Sequence, residues 1–283
     1  MGTTLERPTP DCSAVSQAQP VVETISVGQR LRSQYHALWY RLGERLSWSR
    51  GSYREPPAHR LDQLTGHQQA RIAGLRRRYA VSFEQEVERT TALKNYDYLN
   101  TLDQAWSAWE LPKPVGGTLH DVGSSNFWYA RTLHAFFRPS KLIGVEVEGY
   151  RLYANGYSRF DYAQGYIADL PNTQFVTRDY RGYAEPADVV MAWYPFVTPA
   201  PMLAWRMPLS LFDPAALFAR IAENLAEQGR FIMVNLSPAE RDIAATHCRI
   251  NGLEELARHE VHAPLRPKTV VPVVSCWGRR ESR

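Results

Sequence analysis

The stretch Leu119-His120-Asp121-Val122-Gly123-Ser124-Ser125-Asn126-Phe127 decides the fold of this 283-residue chain. A short strand runs through an acid and a Gly-Ser-Ser turn into a segment of helical character. Gly123 can adopt a positive φ and lets a ligand approach the backbone closely. In an open α/β sheet, such a turn brings backbone N–H groups and a helix N-terminus to the carboxyl edge of the strands. The stretch therefore predicts a first βα unit with a ligand site at its turn.

Short apolar strands alternate with helical segments on the C-terminal side of this stretch, which is typical of βαβ units in a parallel sheet. We predict strands at 118–122, 141–147, 173–177, 187–193 and 229–235, and helices at 126–137, 151–167 and 214–227. Residues 255–262 and 268–279 resemble two antiparallel strands around a Pro-containing turn. The prediction is an α/β fold with a doubly wound, mostly parallel seven-stranded sheet that ends in an antiparallel hairpin.

The part of the chain before this sheet has a different pattern. Residues 1–25 are rich in Pro, Thr, Ser and Gln, so we predict a flexible tail. Apolar residues at steps of three and four then predict three helices. The first is marked by Leu31, Tyr35, Leu38, Leu42 and Leu46, the second by Leu64, Ile72, Leu75 and Tyr79, and the third by Phe83, Val87, Tyr98, Leu102, Ala105 and Trp109. We predict a helical N-terminal region at 26–112 and a Rossmann-like core at 113–283.

The composition is that of a globular protein, with 44% hydrophobic and 22% charged residues. No run approaches the roughly 18 to 20 apolar residues of a membrane span, and the N-terminus lacks signal-peptide features. We therefore predict a cytoplasmic protein with no membrane partner. The three cysteines are scattered, which predicts neither a disulfide framework nor a metal site. The net charge of +4 is a mild excess, and the basic run at 76–78 is more typical of a solvated helix end than of a nucleic-acid surface.

The turn after the first strand resembles motif I of the class I S-adenosylmethionine-dependent methyltransferases, usually Asp/Glu-x-Gly-x-Gly-x-Gly. Asp121 and Gly123 match the motif, whereas Ser125 and Phe127 stand at the second and third glycines. The resemblance covers about residues 113–283 and is to the superfamily, not to a family defined by its substrate. It implies an enzyme that binds S-adenosylmethionine, with Ser124 and Asn126 in the same cofactor loop. The phenylalanine is expected to reshape the methionine side of the pocket.

Two further acids stand where this resemblance expects cofactor contacts. Glu146 ends the second strand, where the family's acid binds both ribose hydroxyls, and Asp179 follows the third strand, where an acid accepts from the adenine amino group. Trp193, at the end of the fourth strand, would lie beside the cofactor. We expect Glu146 to face an empty site and to contribute little to the stability of the fold. Glu148, two residues further on, is the alternative ribose partner.

Other readings of these residues remain. Asp121 before a Gly-Ser-Ser turn is also a common turn former or helix cap. A nicotinamide-binding fold expects G-x-G-x-x-G, an NTPase expects Gly-Lys-Ser/Thr and an α/β-hydrolase expects G-x-S-x-G, and residues 123–128 supply none of these. His120, His134 and His247 are each better explained as structural than as catalytic residues.

The acceptor is less well defined by the sequence than the cofactor. Trp193-Tyr194-Pro195-Phe196 is similar to the Asp/Asn-Pro-Pro-Tyr/Phe loop of methyltransferases that act on planar nitrogens, but its first two positions differ. Tyr194 and Phe196 either line a pocket for a flat or apolar substrate or pack in the core. Tyr98, in the region where this superfamily often carries a substrate lid, is a further candidate for substrate contact.

The predicted function is methyl transfer to an acceptor that is not identified, with a small molecule favoured over peptide or nucleic acid. No catalytic residue is assigned, because alignment of the reactants supplies much of the catalysis in an in-line displacement. A nucleic-acid partner is compatible with the charge but not indicated by it, and the oligomeric state is open. The alternative is a catalytically silent methyltransferase-like module that binds a partner or RNA.

Overall fold

The computed structural model describes residues 25–54, 64–83 and 89–280. Most of the predicted flexible tail and Val87 of the third predicted helix lie outside these ranges. Within them the chain forms one seven-stranded sheet in the order β3-β2-β1-β4-β5-β7-β6. The strands are β1 Thr118–Val122, β2 Lys141–Glu146, β3 Thr173–Thr177, β4 Ala187–Trp193, β5 Leu225–Asn235, β6 Leu253–Glu260 and β7 Val273–Arg279.

The predicted fold class is confirmed. Strands β1 to β5 run parallel, and β7 pairs antiparallel with both β5 and β6. At the centre, Asp121 of β1 lies between Gly144 of β2 and Met191 of β4. The strand order reverses at β1 and β4, so the carboxyl ends of these strands open the crevice in which doubly wound sheets bind ligands.

Helices cover both faces of the sheet. Its parallel strands carry apolar side chains on both faces, and each face must be covered to remove them from water. Helices α2 Gly66–Tyr79, α3 Arg89–Ala108, α4 Ala130–Phe137 and α5 Arg159–Ile167 share one hydrophobic core with the first face. Helices α7 Pro214–Asn224 and α8 Pro238–Ile250 pack on the other face. The short helix α6 Pro199–Ala204 follows β4 at the carboxyl edge.

Helix α3 belongs to the core of the protein. Tyr96, Leu99 and Leu102 are fully buried, and the carboxylate of Asp97 accepts from the backbone N–H of Leu265, 2.9 Å away. The third helix predicted from the sequence is thus present from residue 89 onwards. Its burial joins the N-terminal region to the sheet through the same hydrophobic core.

Helix α1, Val27–Leu46, contacts α6 and the 3-10 turn Leu209–Leu211. At its C-terminal end the chain passes along α5, where the Asp161 carboxylate accepts from the Ser49 hydroxyl and from the N–H groups of Arg50 and Gly51. A Cβ on Gly165 would overlap the carbonyl of Tyr53, so the chain lies directly on the α5 backbone. We refer to residues 47–54 as the strap.

The structure corrects several element predictions. The helix predicted at 214–227 ends at Asn224, and β5 begins at Leu225, earlier than the predicted 229. The helix predicted at 151–167 begins only at Arg159, because the Asn155-Gly156 pair forms a turn that brings Leu152 opposite Ser158. The helix predicted at 126–137 begins at Ala130. Helix α8 was not predicted, although Ser237 caps it, Pro238 stands at its first position and Glu240 lies in its first turn.

The turn between β1 and α4 is fixed by one close contact. The Phe127 side chain is fully buried, and its ring lies where a Cβ of Gly144 would be, 2.6 Å from the nearest ring atom. The ring also faces Tyr129 and Phe175 in the core. The expectation that Phe127 reshapes the cofactor pocket is therefore wrong, because its ring is directed into the core below the turn.

We expect Gly144→Ala to lower the free energy of unfolding by about 1 to 3 kcal/mol, because an added methyl overpacks the Phe127 ring. The penalty should be smaller in a Phe127→Leu background, where the ring is gone. Urea unfolding of the four proteins in this cycle measures the coupling. Gly74→Ala in α2 is the matched control, since no atom lies within 4 Å of its Cβ. That substitution should be neutral or stabilising. Equal effects at both glycines would contradict the packing role.

Candidate functional site

A cavity of about 460 Å³ opens at the carboxyl edge of the parallel strands. Its volume lies within the range of small-molecule sites. Eight of the residues proposed from the sequence line it: Tyr98, Gly123, Ser125, Glu146, Asp179, Trp193, Tyr194 and Phe196. They come from α3, from the ends of β1, β2 and β4, and from the segment after β3. The remaining three do not line it: Asp121 lies in β1, and Ser124 and Asn126 lie in the turn that follows.

The turn retains left-handed backbone at positions where the motif has glycine. Gly123 has φ +75°, and Ser125 and Phe127 have φ +55° and +57°. Left-handed conformations cost a residue with a Cβ roughly 1 to 2 kcal/mol. The conformation orients the Ser125 N–H toward Glu146 Oε2, at 2.7 Å. Ser125 and Phe127 thus adopt a left-handed backbone at the second and third glycine positions of the motif.

Asp121 is fully buried beneath the cavity wall. The Tyr129 hydroxyl donates to its Oδ2 at 2.7 Å, while Oδ1 has no hydrogen-bond partner within the described part of the chain. Burial raises the pKa of this carboxyl from 3.8 to about 7, and the Glu146 charge adds to the effect, although the hydrogen bonds from Tyr129 and Ser124 oppose it. The alternative interpretation of Asp121 as a helix cap is wrong. Tyr129 is the N-cap residue of α4, and the Asp121 carboxylate accepts from the Tyr129 hydroxyl.

Glu146 is buried and accepts three hydrogen bonds. Its Oε1 accepts from Arg159 Nη1 at 3.0 Å and from the Glu148 N–H at 2.9 Å, and its Oε2 accepts from Ser125. Only 4% of Glu146 and 5% of Arg159 is exposed. Glu146 therefore lines the cavity but is not an unpaired acid, and these contacts argue against the expectation that it adds little to the stability of the fold.

Glu148 is a second carboxylate around the same guanidinium. Its Oε2 lies 3.0 Å from Arg151 Nη1 and 3.5 Å from Arg159 Nη1, and burial raises its pKa. It does not line the cavity, whereas Glu146 does. Of the two ribose candidates left by the sequence, Glu146 has the position that a bound ligand can reach.

Asp179 also carries an arginine partner. Its carboxylate accepts from Arg181 Nε at 2.9 Å and Nη2 at 2.5 Å, and it caps the 3-10 turn Tyr180–Gly182 through the Arg181 N–H. About a third of the side chain is exposed, so this pair is accessible to a ligand in the cavity. Both acids proposed for the cofactor are thus neutralised by arginines that sequence reasoning did not identify.

Aromatic side chains form the end of the cavity beyond β1 and β4. Tyr98 stacks on Trp193 with ring centroids 3.8 Å apart and planes at 19°. Trp128 and Tyr129 also contact Tyr98, with ring centroids 4.8 and 5.3 Å away. The sequence left open whether such aromatics line a pocket or pack the core, and here they do both.

Tyr194 places a hydroxyl at this aromatic end. Lys268 Nζ donates to the Tyr194 hydroxyl oxygen at 3.3 Å and lies 3.1 Å from Asp97 Oδ2. Burial raises the pKa of Tyr194, so its hydroxyl stays protonated near neutral pH and can itself donate. The segment between β6 and β7 thus places a cation behind the aromatic wall.

The residues that sequence reasoning missed lie in irregular segments or directly after them. Arg159 follows Glu146 by thirteen positions across the 147–158 loop, and Lys268 lies between β6 and β7. Trp205 also lines the cavity, and it follows helix α6, which was not predicted. His120, by contrast, is buried against the Tyr180 hydroxyl and away from the cavity, as a structural histidine should be.

Comparisons with known proteins concern the fold. No protein-family model matches the chain, and no curated protein is similar to it in sequence. Similar solved structures include a SAM-dependent methyltransferase from Leishmania major, at 9% identity over 66% of this chain and 72% of that one, with a TM-score of 0.46. The N-methyltransferase NodS from Bradyrhizobium japonicum is 12% identical over 67% and 97%, with a TM-score of 0.45. The B. subtilis tRNA methyltransferase TrmK is 12% identical over 64% and 65%, with a TM-score of 0.43.

We expect Glu146→Ala to destabilise the ligand-free protein by about 3 kcal/mol or more, because it leaves the Arg159 guanidinium buried without its main partner. Asp169→Ala is the matched control: it also removes an ion pair, with Arg54, but at a site where 59% of the Asp169 side chain is exposed. That change should cost less than about 1 kcal/mol. Denaturant unfolding measures both, and a negligible effect of Glu146→Ala would refute the structural role of the pair.

The raised pKa of Asp121 makes stability depend on pH. Between about pH 4 and pH 7 the folded protein holds a proton on Asp121 that the unfolded chain releases, so this residue's contribution falls as the pH rises through that window. The difference in unfolding free energy between wild type and Asp121→Asn should therefore shift against wild type from pH 4 to 7 and level off above it. Denaturant unfolding across this range tests the effect. A difference that does not change with pH would contradict it.

Proposed function

We propose that this chain transfers a methyl group from S-adenosylmethionine to a small molecule with a flat, apolar acceptor region. The observation that supports this most is the cavity itself. One end is formed by a turn of backbone N–H groups and two carboxylates at strand ends, and the other by stacked aromatic rings. A ligand with a polar nucleoside part and a reactive centre facing an apolar partner matches this division.

The first βα turn and the strand-end acids are the groups that would hold the cofactor. Gly123 and Ser125 offer close approach to the methionine part, Glu146 accepts from the ribose, and Asp179 accepts from the adenine amino group. A carboxylate has about four acceptor positions. Three donors already occupy Glu146, so one position remains unless Arg159 turns away. Ribose binding therefore uses the remaining position or displaces the guanidinium.

S-adenosylmethionine, when bound, supplies an activated methyl group on a sulfonium. The chain's own contribution is alignment and exclusion of water. Trp193 and Tyr98 close the cavity beside the turn, and Tyr129 covers Asp121. Alignment of this kind can contribute on the order of 7 to 11 kcal/mol in favourable cases. A dedicated base is not required for this chemistry, and none is assigned.

The acceptor is expected to lie against the aromatic end. Trp128, Tyr194 and Phe196 provide flat surfaces there, and the Tyr194 hydroxyl provides a donor supported by Lys268. Stacking on such rings favours a planar substrate over a flexible peptide. This arrangement supports the small-molecule acceptor over nucleic acid, because two of the three arginines that line the cavity, Arg159 and Arg181, are paired with carboxylates of the same site.

We expect the wild-type chain to bind S-adenosylmethionine and S-adenosylhomocysteine with micromolar affinity in calorimetry. Glu146→Gln keeps the side-chain shape but loses the charge. Since a hydrogen bond to a charged group contributes about 1.5 to 3 kcal/mol, affinity should fall roughly 10-fold to 150-fold. Glu148→Gln is the matched control in the same cluster and should have much less effect.

The opposite order of the two variants would place the ribose on Glu148. Failure of the folded wild type to bind either compound, together with salt-sensitive binding of RNA, would favour the catalytically silent module instead. Thermal unfolding of each variant, measured without ligand, separates loss of binding from loss of fold.

A further inference from the structure

Helix α1 turns its apolar side outward. Leu31, Leu38 and Trp39 are 63%, 59% and 56% exposed. The polar side chain of His36, which faces the domain, is buried. The outer residues fall within one third of the helix circumference and extend over its whole length. We call this the outer stripe: Val27, Leu31, Tyr35, Leu38, Trp39, Leu42 and Leu46. In a helix that is simply part of a globular core, the apolar side faces inward.

The inner side of α1 holds the helix on the domain through polar groups. The Ser33 hydroxyl accepts from the Leu209 N–H at 2.8 Å. Burial raises the pKa of Tyr40 to about 12, with the charges of Glu44, Asp179 and Glu148 adding to the effect. A capping box at Ser26 and the strap at its other end fix both termini. The outward orientation of the stripe is therefore a consequence of specific contacts on the other side.

Arginines border the outer stripe on both sides. At 100° per residue, Arg30, Arg41 and Arg45 lie along one edge of the stripe and Arg32 along the other, and all four are exposed. The single acid of the helix, Glu44, lies on the inner side. The exposed surface of α1 is thus an apolar strip between cationic margins.

We propose that the outer stripe of α1 lies on the surface of an anionic lipid bilayer. An interfacial helix buries an apolar face in the headgroup region while arginines on its margins contact anionic headgroups. Tyr35 and Trp39 are of the types that concentrate at this depth. Such a helix lies in the plane of the membrane and does not cross it. No helix in the described ranges is long and apolar enough to span a bilayer.

The charge of the four arginines favours an anionic bilayer over a second copy of the chain as the partner of the outer stripe. A twofold contact through the stripe would bring the four arginines of each α1 close to those of the other, and juxtaposed like charges oppose association. A negatively charged surface has the opposite effect on the same four groups. The anionic bilayer therefore matches both the apolar strip and its margins.

Flotation with phosphatidylcholine vesicles, with and without phosphatidylglycerol, tests the proposal on the full chain. We expect binding to the phosphatidylglycerol vesicles that weakens with added salt. Leu31→Gln combined with Leu38→Gln should reduce partitioning by about tenfold or more, because two apolar side chains no longer enter the bilayer. Arg41→Gln combined with Arg45→Gln should reduce it by about fivefold per arginine.

The matched control combines Val115→Gln with Ile250→Gln, which removes two comparably exposed apolar residues away from α1. It should bind vesicles like wild type, and circular dichroism and the melting temperature should show all variants folded. Absence of flotation, or equal loss in the control, would overturn the proposal. So would a dimer in sedimentation that Leu31→Gln/Leu38→Gln dissolves, or binding only to an acidic protein, since either would assign the stripe to a different occupant.

Discussion

The contact of the Phe127 ring with Gly144 is the constraint on which the rest of the site depends. Because the ring fills the space that a side chain on β2 would take, the β1–α4 turn is held against the end of that strand. This position brings the Ser125 N–H to Glu146 and so fixes the orientation of the carboxylate. A bulky residue at a glycine position of the motif is thus compensated by a glycine on the neighbouring strand.

The second feature of the site is that its two strand-end acids have cationic partners before any ligand arrives. Glu146 is paired with Arg159 and Asp179 with Arg181, so neither of these two carboxylates is free in the ligand-free cavity. Burial of an unpaired carboxylate is costly, and the arginines reduce that cost in the ligand-free protein. A ligand that uses these acids must exchange hydrogen bonds for those already present. Its net gain in free energy is then smaller than the number of contacts suggests.

The strands of the sheet could be predicted from the sequence because each is a short apolar segment bounded by turn residues, and the positions of Asp121, Glu146 and Asp179 followed from the strand ends. The partners of these acids could not. Arg159 reaches Glu146 only because the Asn155-Gly156 turn shortens the predicted helix. Lys268 reaches Tyr194 from the connection between β6 and β7. Periodicity predicted α1 correctly, but it gives no information about which side of a helix the polar contacts will hold on the domain.

The strap gives α1 a mechanical connection to the interior. Its hydrogen bonds converge on Asp161, in the first turn of α5, and Arg159 begins that same turn. The strap also lies directly on Gly165, so the two backbones are in close contact where they cross. The attachment of α1 and the cationic partner of Glu146 therefore depend on the same single turn of helix.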